Sequence, residues 1–379
     1  MMIAAAAIIT TTPVADAQVI FGQPTSGTIR FVYNSWSVES GGADTTLTQL
    51  MTPVYGFLPV ADNVDVSVYI ANSTNTLETP EGEFDLNGLG DLRVQARHSF
   101  AEDRLLLAVG LNLPTGKKEL SFDEEWAVLQ GLSLNYLDFP MRRFGEGFGF
   151  SLLFGGATTV GDNLKLGGGI SYQYIGTYAP YSEYLDYDPG DVVSFNARGA
   201  LNTGEWAWGA DLVYSLYTTD RLEALDIDIF KQSPSLNMSL RVDRDAEPVA
   251  YGGSMRWVVR GDHEFYDPTD GAELASLKLY GDEFMFAGYA SWMFAEQWYA
   301  TPHARIRLIG SNDIEFESAD IFSIGADVRR MLSEDFSVTG GLSLHTGTAT
   351  TSNALDTTAP GVDSDISGYQ LTLGLSAAL

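Results

Sequence analysis

Long runs of alternating apolar and polar residues are the feature that most limits the folds open to this chain. Successive side chains of a strand point to opposite faces, so such a run predicts a strand with one apolar and one polar face. Residues 91–100 are the clearest case, because every second residue is apolar or aromatic except His98. Residues 64–71 and 369–379 repeat the pattern. The chain is therefore predicted to be all-β.

The number and length of these runs separate a membrane barrel from a soluble sandwich. Strands in globular proteins average about five or six residues, whereas a tilted strand needs about 9–11 to cross a bilayer. Most runs here reach the longer class. Fourteen strands are the alternative, because one or two weak hairpins such as 28–58 could be miscounted. The count otherwise predicts sixteen strands, at 28–38, 45–58, 63–72, 89–100, 104–113, 147–157, 163–177, 191–202, 205–218, 234–243, 247–260, 276–294, 298–309, 320–330, 335–346 and 366–379.

The connections between the predicted strands alternate in length. Short turns fall at 101–103, 202–204, 244–246, 295–297 and 331–334, and long acidic loops fall at 73–88, 178–190, 219–233, 261–275, 310–319 and 347–365. Outer-membrane barrels have short periplasmic turns and long extracellular loops. The fold class predicted is a closed antiparallel transmembrane β-barrel of about sixteen strands.

One segment fits this alternation only as a helix. Ser121 to Glu124 matches a capping box, and Phe122, Trp126 and Leu129 recur at helical spacing. We therefore predict a short helix at 121–133 within a long extracellular loop. The alternative is that this helix constricts the lumen.

The amino terminus has the pattern of a secretory signal. An apolar stretch at 3–9 is followed by Ala15, Asp16 and Ala17, which matches a signal-peptidase site. The predicted division is a signal peptide at 1–17 and an outer-membrane barrel at 18–379. The expected location is the bacterial outer membrane, in contact with lipid and lipopolysaccharide and inserted by the barrel-assembly machinery.

The charge distribution bears on partners. A formal charge of -29 disfavours binding to nucleic acid, and most acids lie in the loops, where divalent cations are possible partners. Aromatic residues are expected to form a girdle near the short turns. The residues predicted for it are Trp206, Trp208, Phe294, Trp298, Tyr299 and Phe336.

Ten arginines fall on the polar parity of their strands and are predicted to line the lumen: Arg30, Arg93, Arg97, Arg198, Arg241, Arg256, Arg260, Arg305, Arg307 and Arg329. Two interpretations remain open. In the first interpretation, the ten arginines form a path for anions, because rings of arginine set anion preference in pores. Alternatively, they pair with Asp91, Asp211, Asp327 and inward-folded acidic loops and fill the lumen without selecting a solute.

Two motifs carry a family resemblance. Gly88-Leu89-Gly90-Asp91-Leu92 opens one strand, and Gly110-Leu111-Asn112-Leu113-Pro114-Thr115-Gly116-Lys117 ends the next. With the motif at 187–191, they resemble outer-membrane proteins associated with the meta-cleavage pathway of phenol degradation, relatives of the fatty-acid and aromatic-hydrocarbon transporter superfamily. The resemblance implies a barrel that admits small hydrophobic or aromatic compounds, with Gly90, Asp91, Pro114, Thr115 and Gly116 as the motif residues.

No spacing motif predicts catalysis, a metal site or a cofactor. The four histidines are His98, His263, His303 and His345, and a Ser–His or Asp–His site has no motif to support it. The expectation is a non-enzymatic channel or passive transporter without cofactor, for small hydrophobic or aromatic compounds or for small anions. The alternative is a structural or surface-interaction barrel with a sealed lumen.

Overall fold

The structure is a computed structural model, which describes residues 24–181, 186–246, 248–267, 269, 271–313, 318–351 and 362–378. The predicted signal peptide lies outside these residues. Within them, no helix has the length and apolar character needed to cross a membrane.

Sixteen spanning strands form one antiparallel sheet, as predicted. The first, β1 (Ser26–Ser40), pairs with the last, β22 (Val362–Ala378), so the sheet closes into a barrel. Between β4 and β5 the chain breaks strand geometry at Gly90 and Asp91, and the two together count as one spanning strand. The others are β2 (Ala43–Ala61), β3 (Val64–Thr79), β4 (Gly82–Leu89) with β5 (Leu92–Phe100), β6 (Leu105–Leu113), β7 (Gly149–Val160), β8 (Leu164–Ile175), β10 (Val192–Thr203), β11 (Trp206–Tyr217), β14 (Ser235–Arg244), β15 (Val249–Arg260), β18 (Glu283–Ala295), β19 (Trp298–Ile309), β20 (Ala319–Met331) and β21 (Phe336–Thr351).

The outward face of this barrel is apolar. Large side chains such as Phe31, Phe154 and Leu373 are about half exposed, and they alternate with less exposed residues along each strand. Lipid offers no hydrogen bonds to the backbone, so a closed barrel with this surface is suited to span a membrane. The predicted girdle residues Trp206, Trp208, Phe294 and Phe336 are exposed beside the short turns. Tyr299 differs, because it pairs with Arg329 on the opposite face of β19 from Trp298.

Two predictions at the long-loop end are wrong, one of a loop and one of a strand. The predicted loop at 73–88 is a hairpin, in which β3 continues to Thr79 and pairs with β4. The predicted strand at 276–294 is two elements, because β18 begins only at Glu283. Parts of strands that extend beyond the bilayer need no apolar face. Their sequences are therefore polar on both faces, and this pattern predicted a loop.

A second, five-stranded sheet stands at the same end, where we predicted only loops. It comprises β9 (Tyr187–Asp188), β12 (Thr219–Leu222), β13 (Ile227–Lys231), β16 (His263–Tyr266) and β17 (Glu273–Leu277), and a 3-10 turn (Glu223–Leu225) joins β12 to β13. We call it the outer sheet. His263, predicted to lie in an acidic loop, is buried in it against Phe230 and Tyr280.

The predicted helix is confirmed, but it is shorter than expected. Helix α1 (Glu125–Ser133) begins four residues later than predicted. Ser121 Oγ accepts from the Glu125 amide, and the Glu125 carboxylate accepts from the Ser121 amide, so Glu125 rather than Glu124 completes the reciprocal contact. The helix lies in the long connection between β6 and β7, as predicted, and its buried face packs against the barrel strands β2, β3 and β4.

Candidate functional site: a segment across the barrel lumen

The connection between β6 and β7 enters the barrel. We call residues 114–148 the inserted segment. It leaves β6 and contacts β19, which is eight spanning strands away from β6 in either direction around the barrel. A chain that joins opposite walls crosses the lumen.

Apolar packing holds the inserted segment. Its side chains Val128 and Leu132 are fully buried, and Gly131 lies against Leu47 of the wall. The segment's other buried apolar residues are Leu120, Tyr136, Leu137, Phe139, Met141 and Phe144, and the wall supplies Trp36, Leu47, Met51, Leu86, Ile309, Ile321 and Ile366. Burying one such side chain is worth about 1.5–3 kcal/mol before ordering costs, so many contacts share the docking energy. The wall around the segment is thus apolar on its inward face.

On the β2 side, one glutamine fastens the inserted segment. Gln49 is fully buried; its Nε2 donates to the Met141 carbonyl at 2.7 Å, and its Oε1 accepts from the Met141 amide at 3.1 Å. Gln49 Nε2 also donates to Asn75 Oδ1 at 2.8 Å. This paired contact satisfies both backbone groups of a residue that lies outside any sheet.

On the β19 side, two arginines hold the inserted segment. Arg305 pairs with Asp138 at 2.7 Å, and Arg307 donates to the Asn135 carbonyl at 2.8 Å while pairing with Glu283 at 2.9 Å. Burial raises the pKa of the Asp138 carboxyl, but the neighbouring arginine charges outweigh it and hold that pKa well below its ordinary value. Asp138 is therefore an anion at neutral pH, and the pair holds the segment by charge.

The two family-like motifs meet where the inserted segment enters and leaves the wall. Asp91 is buried; its Oδ1 accepts from the Gly116 amide at 2.8 Å, and its Oδ2 accepts from the Glu146 amide at 2.8 Å and from Asn112 Nδ2 at 2.9 Å. One carboxylate thus ties together the two ends of the segment.

The other motif residues shape the same junction. The Leu92 amide donates to Thr115 Oγ1 at 2.9 Å, next to Pro114, and the Gly90 amide donates to the Ala71 carbonyl at 2.8 Å. A side chain at Gly116 would collide with the Phe144 carbonyl. The glycine there lets the two ends of the segment approach each other.

The ten arginines predicted to line the lumen are mostly engaged by acids. Six form ion pairs, and two contact neutral groups, since Arg256 donates to Asn237 Oδ1 and Arg329 lies over the Tyr299 ring. Arg30 is close enough to Asp327, and Arg93 to Tyr69, for electrostatic interaction. The ion pairs are Arg97–Asp65, Arg198–Asp211, Arg241–Asp243, Arg260–Glu283, Arg305–Asp138 and Arg307–Glu283.

Of the acids that we expected to pair with arginine, only Asp211 does so. Asp91 binds amides, and Asp327 lies 3.6 Å from His303. The sequence interpretation did not name Asp65, Asp138, Asp243 or Glu283, which also pair with these arginines. Strand alternation could have revealed Glu283, because it shares a face with Met285, the cross-strand partner of Arg307. Asp138 lies outside any repeating pattern, so no local signal marks it.

The third motif, at 187–191, fastens the outer sheet. Tyr187 donates to Asp220, and the Gly190 amide donates to the same carboxylate at 2.7 Å. Burial raises the pKa of the Asp220 carboxyl and of the Tyr187 phenol. A side chain at Gly190 would collide with the Thr218 carbonyl, so close packing of the backbone requires the glycine of this motif.

The histidines and acids form no metal centre in the part of the chain that the structure describes, because no group of three or more is arranged to hold an ion. His98 Nδ1 donates to the Asn63 carbonyl beside a short turn. His303 and His345 each bond a serine, Ser343 at 3.1 Å and Ser323 at 2.8 Å.

Comparison with known proteins identifies no family. No family model and no curated protein matches the chain. Among solved structures it is similar to a Pseudomonas aeruginosa FadL homologue, at 9% identity and a TM-score of 0.48, covering 94% of this chain and 90% of that one. It is also similar to the CymD monoaromatic hydrocarbon channel, at 11% identity and a TM-score of 0.42 over 94% and 89% of the two chains. A third similar structure is an anion-selective porin from Comamonas acidovorans, at 11% identity and a TM-score of 0.41, covering 94% of this chain and 99% of that one.

These likenesses are too low to carry an argument about function. The closed antiparallel barrel and its apolar outer surface stand on the geometry of the chain itself. Barrels of this architecture belong to the bacterial outer membrane. The chain is an outer-membrane β-barrel whose lumen is crossed by residues 114–148.

Proposed function

We propose that the protein is a diffusion channel for small molecules and that the inserted segment is its gate. The observation that carries the proposal is the attachment of one segment to opposite walls, anchored at both ends by Asp91. An anchored segment with its own helix can move as a unit without unfolding the wall, whose strands keep their pairing on either side of β6 and β7.

The lining of the passage favours apolar or aromatic solutes over anions. Movement of the inserted segment would uncover the apolar wall residues around Trp36 and Ile321. Ion pairing neutralises much of the arginine charge, which weakens an anion path. The family-like motifs at 88–92 and 110–117 agree with this choice.

The test replaces residues 118–143 with a short glycine–serine linker. We expect low conductance from the full chain in planar bilayers and a large rise in the variant, with faster passage of a small neutral aromatic compound into proteoliposomes. A control variant that shortens the outer sheet at residues 222–227 should behave as the full chain. Equal conductance and equal aromatic flux in the variant and the full chain would reject the gate.

A second candidate is a structural barrel whose lumen stays sealed. The same segment favours it, because both its ends and its middle are bound to the wall. This candidate predicts that the full chain never conducts, even in rare events. Brief openings in long single-channel recordings of the full chain, absent when the segment is cross-linked to β2, would exclude it.

A further inference from the structure

Three neighbouring strands place a serine, a histidine and an aspartate on one face of the barrel wall. His303 of β19, Gly325 of β20 and Ser343 of β21 are aligned in register, and Asp327 lies two residues beyond Gly325 on the same face of β20. This face is the one that carries Arg305 and Arg307, so it points into the barrel. The three side chains therefore share one lumenal patch.

Glycine in the middle strand makes their contact possible. His303 and Ser343 are two strands apart, yet His303 Nε2 lies 3.1 Å from Ser343 Oγ. A Cβ added at Gly325 would lie 2.5 Å from Ser343 Oγ and 2.6 Å from His303 Nε2. Any side chain there would separate the pair, so the gap at Gly325 is what joins them.

The other ring nitrogen faces a carboxylate. His303 Nδ1 lies 3.6 Å from Asp327 Oδ2. Opposite Asp327 stands Gly341, where an added Cβ would collide with the carboxylate, so a second glycine leaves room for the acid. The order serine, Nε2, Nδ1 and carboxylate is that of a nucleophile, its base and the acid that orients the base.

The patch is open to solvent. The side chains of His303 and Asp327 are 31% and 45% exposed with the inserted segment in place. Ser343 is itself half-buried and not sealed, so a small molecule in this part of the lumen can contact it without movement of the segment. Arg305, two residues from His303 on the same face, brings positive charge near the patch.

We propose that Ser343, His303 and Asp327 form a site that cleaves small carboxylic esters in the lumen. Ser343 Oγ attacks the ester carbonyl carbon while its proton moves to His303 Nε2. The carbon–oxygen bond to the alcohol then breaks, and the alcohol leaves with that proton, which gives an acyl-serine. Water, deprotonated by His303, attacks the acyl-serine and releases the carboxylic acid and free Ser343. Asp327 acts as a positioning residue that holds the His303 ring.

The chain supplies a matched control. Ser323 also bonds a histidine, since His345 Nδ1 lies 2.8 Å from its Oγ. Ser323 is only 4% exposed, and the His345 ring stacks on Trp36 at 4.7 Å. The proposal assigns reactivity to Ser343 and none to Ser323.

The experiment uses the refolded full chain with a fluorophosphonate probe and with p-nitrophenyl acetate. We expect the probe to label Ser343, as located by mass spectrometry, and ester hydrolysis that Ser343→Ala abolishes. His303→Gln should slow both by about 100-fold or more. Ser323→Ala should leave both unchanged.

Further variants separate chemistry from folding. Asp327→Asn should slow labelling by at least about 10-fold, and Asp327→Glu should recover part of the loss, which a merely structural role would not produce. The heat-dependent gel mobility of each variant reports whether its barrel has folded. A folded full chain that leaves Ser343 unlabelled, or that labels equally well in His303→Gln, overturns the proposal.

Discussion

Asp91→Asn is the substitution that most directly tests the anchoring of the inserted segment. The carboxylate accepts three hydrogen bonds, from the Gly116 and Glu146 amides and from Asn112. A carboxamide keeps one acceptor oxygen and presents an NH2 group in place of the other. In its better orientation, the asparagine oxygen keeps the two bonds made at Oδ2, from the Glu146 amide and Asn112. Its NH2 group then faces the Gly116 amide, and two donors cannot bond each other.

The magnitude follows from the count of bonds. A hydrogen bond to a charged group contributes about 1.5–3 kcal/mol, and a buried donor left without an acceptor costs about 1–3 kcal/mol. The loss of the Gly116 bond, partly relieved by relaxation, therefore destabilises the docked segment by about 3 kcal/mol. Since 1.4 kcal/mol is a factor of about ten, the population of the undocked segment should rise about 100-fold.

Hydrogen exchange in lipid nanodiscs measures this shift. The amides of Gly116, Glu146 and helix α1 should exchange about 100-fold faster in Asp91→Asn, while the amides of β20 and β21 stay unchanged. Asp211→Asn is the control: its carboxylate pairs at 3.4 Å with Arg198, whose side chain is 74% exposed, so its loss should cost under about 1 kcal/mol. Equal exchange in the Asp91→Asn variant and the parent chain would refute the assignment of Asp91 as the anchor.

Three further changes test other contacts. Gln49→Leu leaves both backbone groups of Met141 without partners, and segment exchange should quicken by about 10–100-fold. Tyr187→Phe removes the phenol bond to Asp220 and should destabilise the outer sheet by about 1–2 kcal/mol, measured by limited proteolysis. Burial lowers the pKa of His263 to about 4, so protonation of this histidine favours the opened outer sheet. The stability of the outer sheet should therefore fall by up to about 3 kcal/mol as the pH drops from about 6.5 to about 4. His263→Gln should remove this pH dependence, as measured by limited proteolysis.

The membrane-spanning part of this chain could be predicted from its sequence because the bilayer imposes a strict two-residue period. All sixteen strands, including the weak hairpin of β1 and β2, appear where alternation places them. Outside the bilayer that constraint ends. The outer sheet and the tall hairpin of β3 and β4 have mixed faces, so their strands were interpreted as loops.

The inserted segment shows a different limit. Its helical start was recognisable, but its docking depends on contacts such as Gln49 with Met141, which are 92 residues apart in sequence. Asp91 and Gly116 were singled out by resemblance, yet only the fold shows that they bond each other. Local pattern identifies elements, and long-range pairing decides where they lie.

The placement of charge bears on how the proposed gate is held. Asp138 carries the only acidic charge that the described part of the inserted segment gives to Arg305, at 2.7 Å. Water already reaches this pair, because the Arg305 and Asp138 side chains are 27% and 43% exposed, whereas the Arg307–Glu283 pair is buried and its attraction is screened little. Docking should be cooperative for another reason: the apolar packing and the bonds to Asp91, Gln49 and Arg307 hold the same segment, so they are lost together when it leaves the wall. A gate that docks in this way should pass solute in discrete openings, and a gradual widening of conductance with voltage would be inconsistent with it.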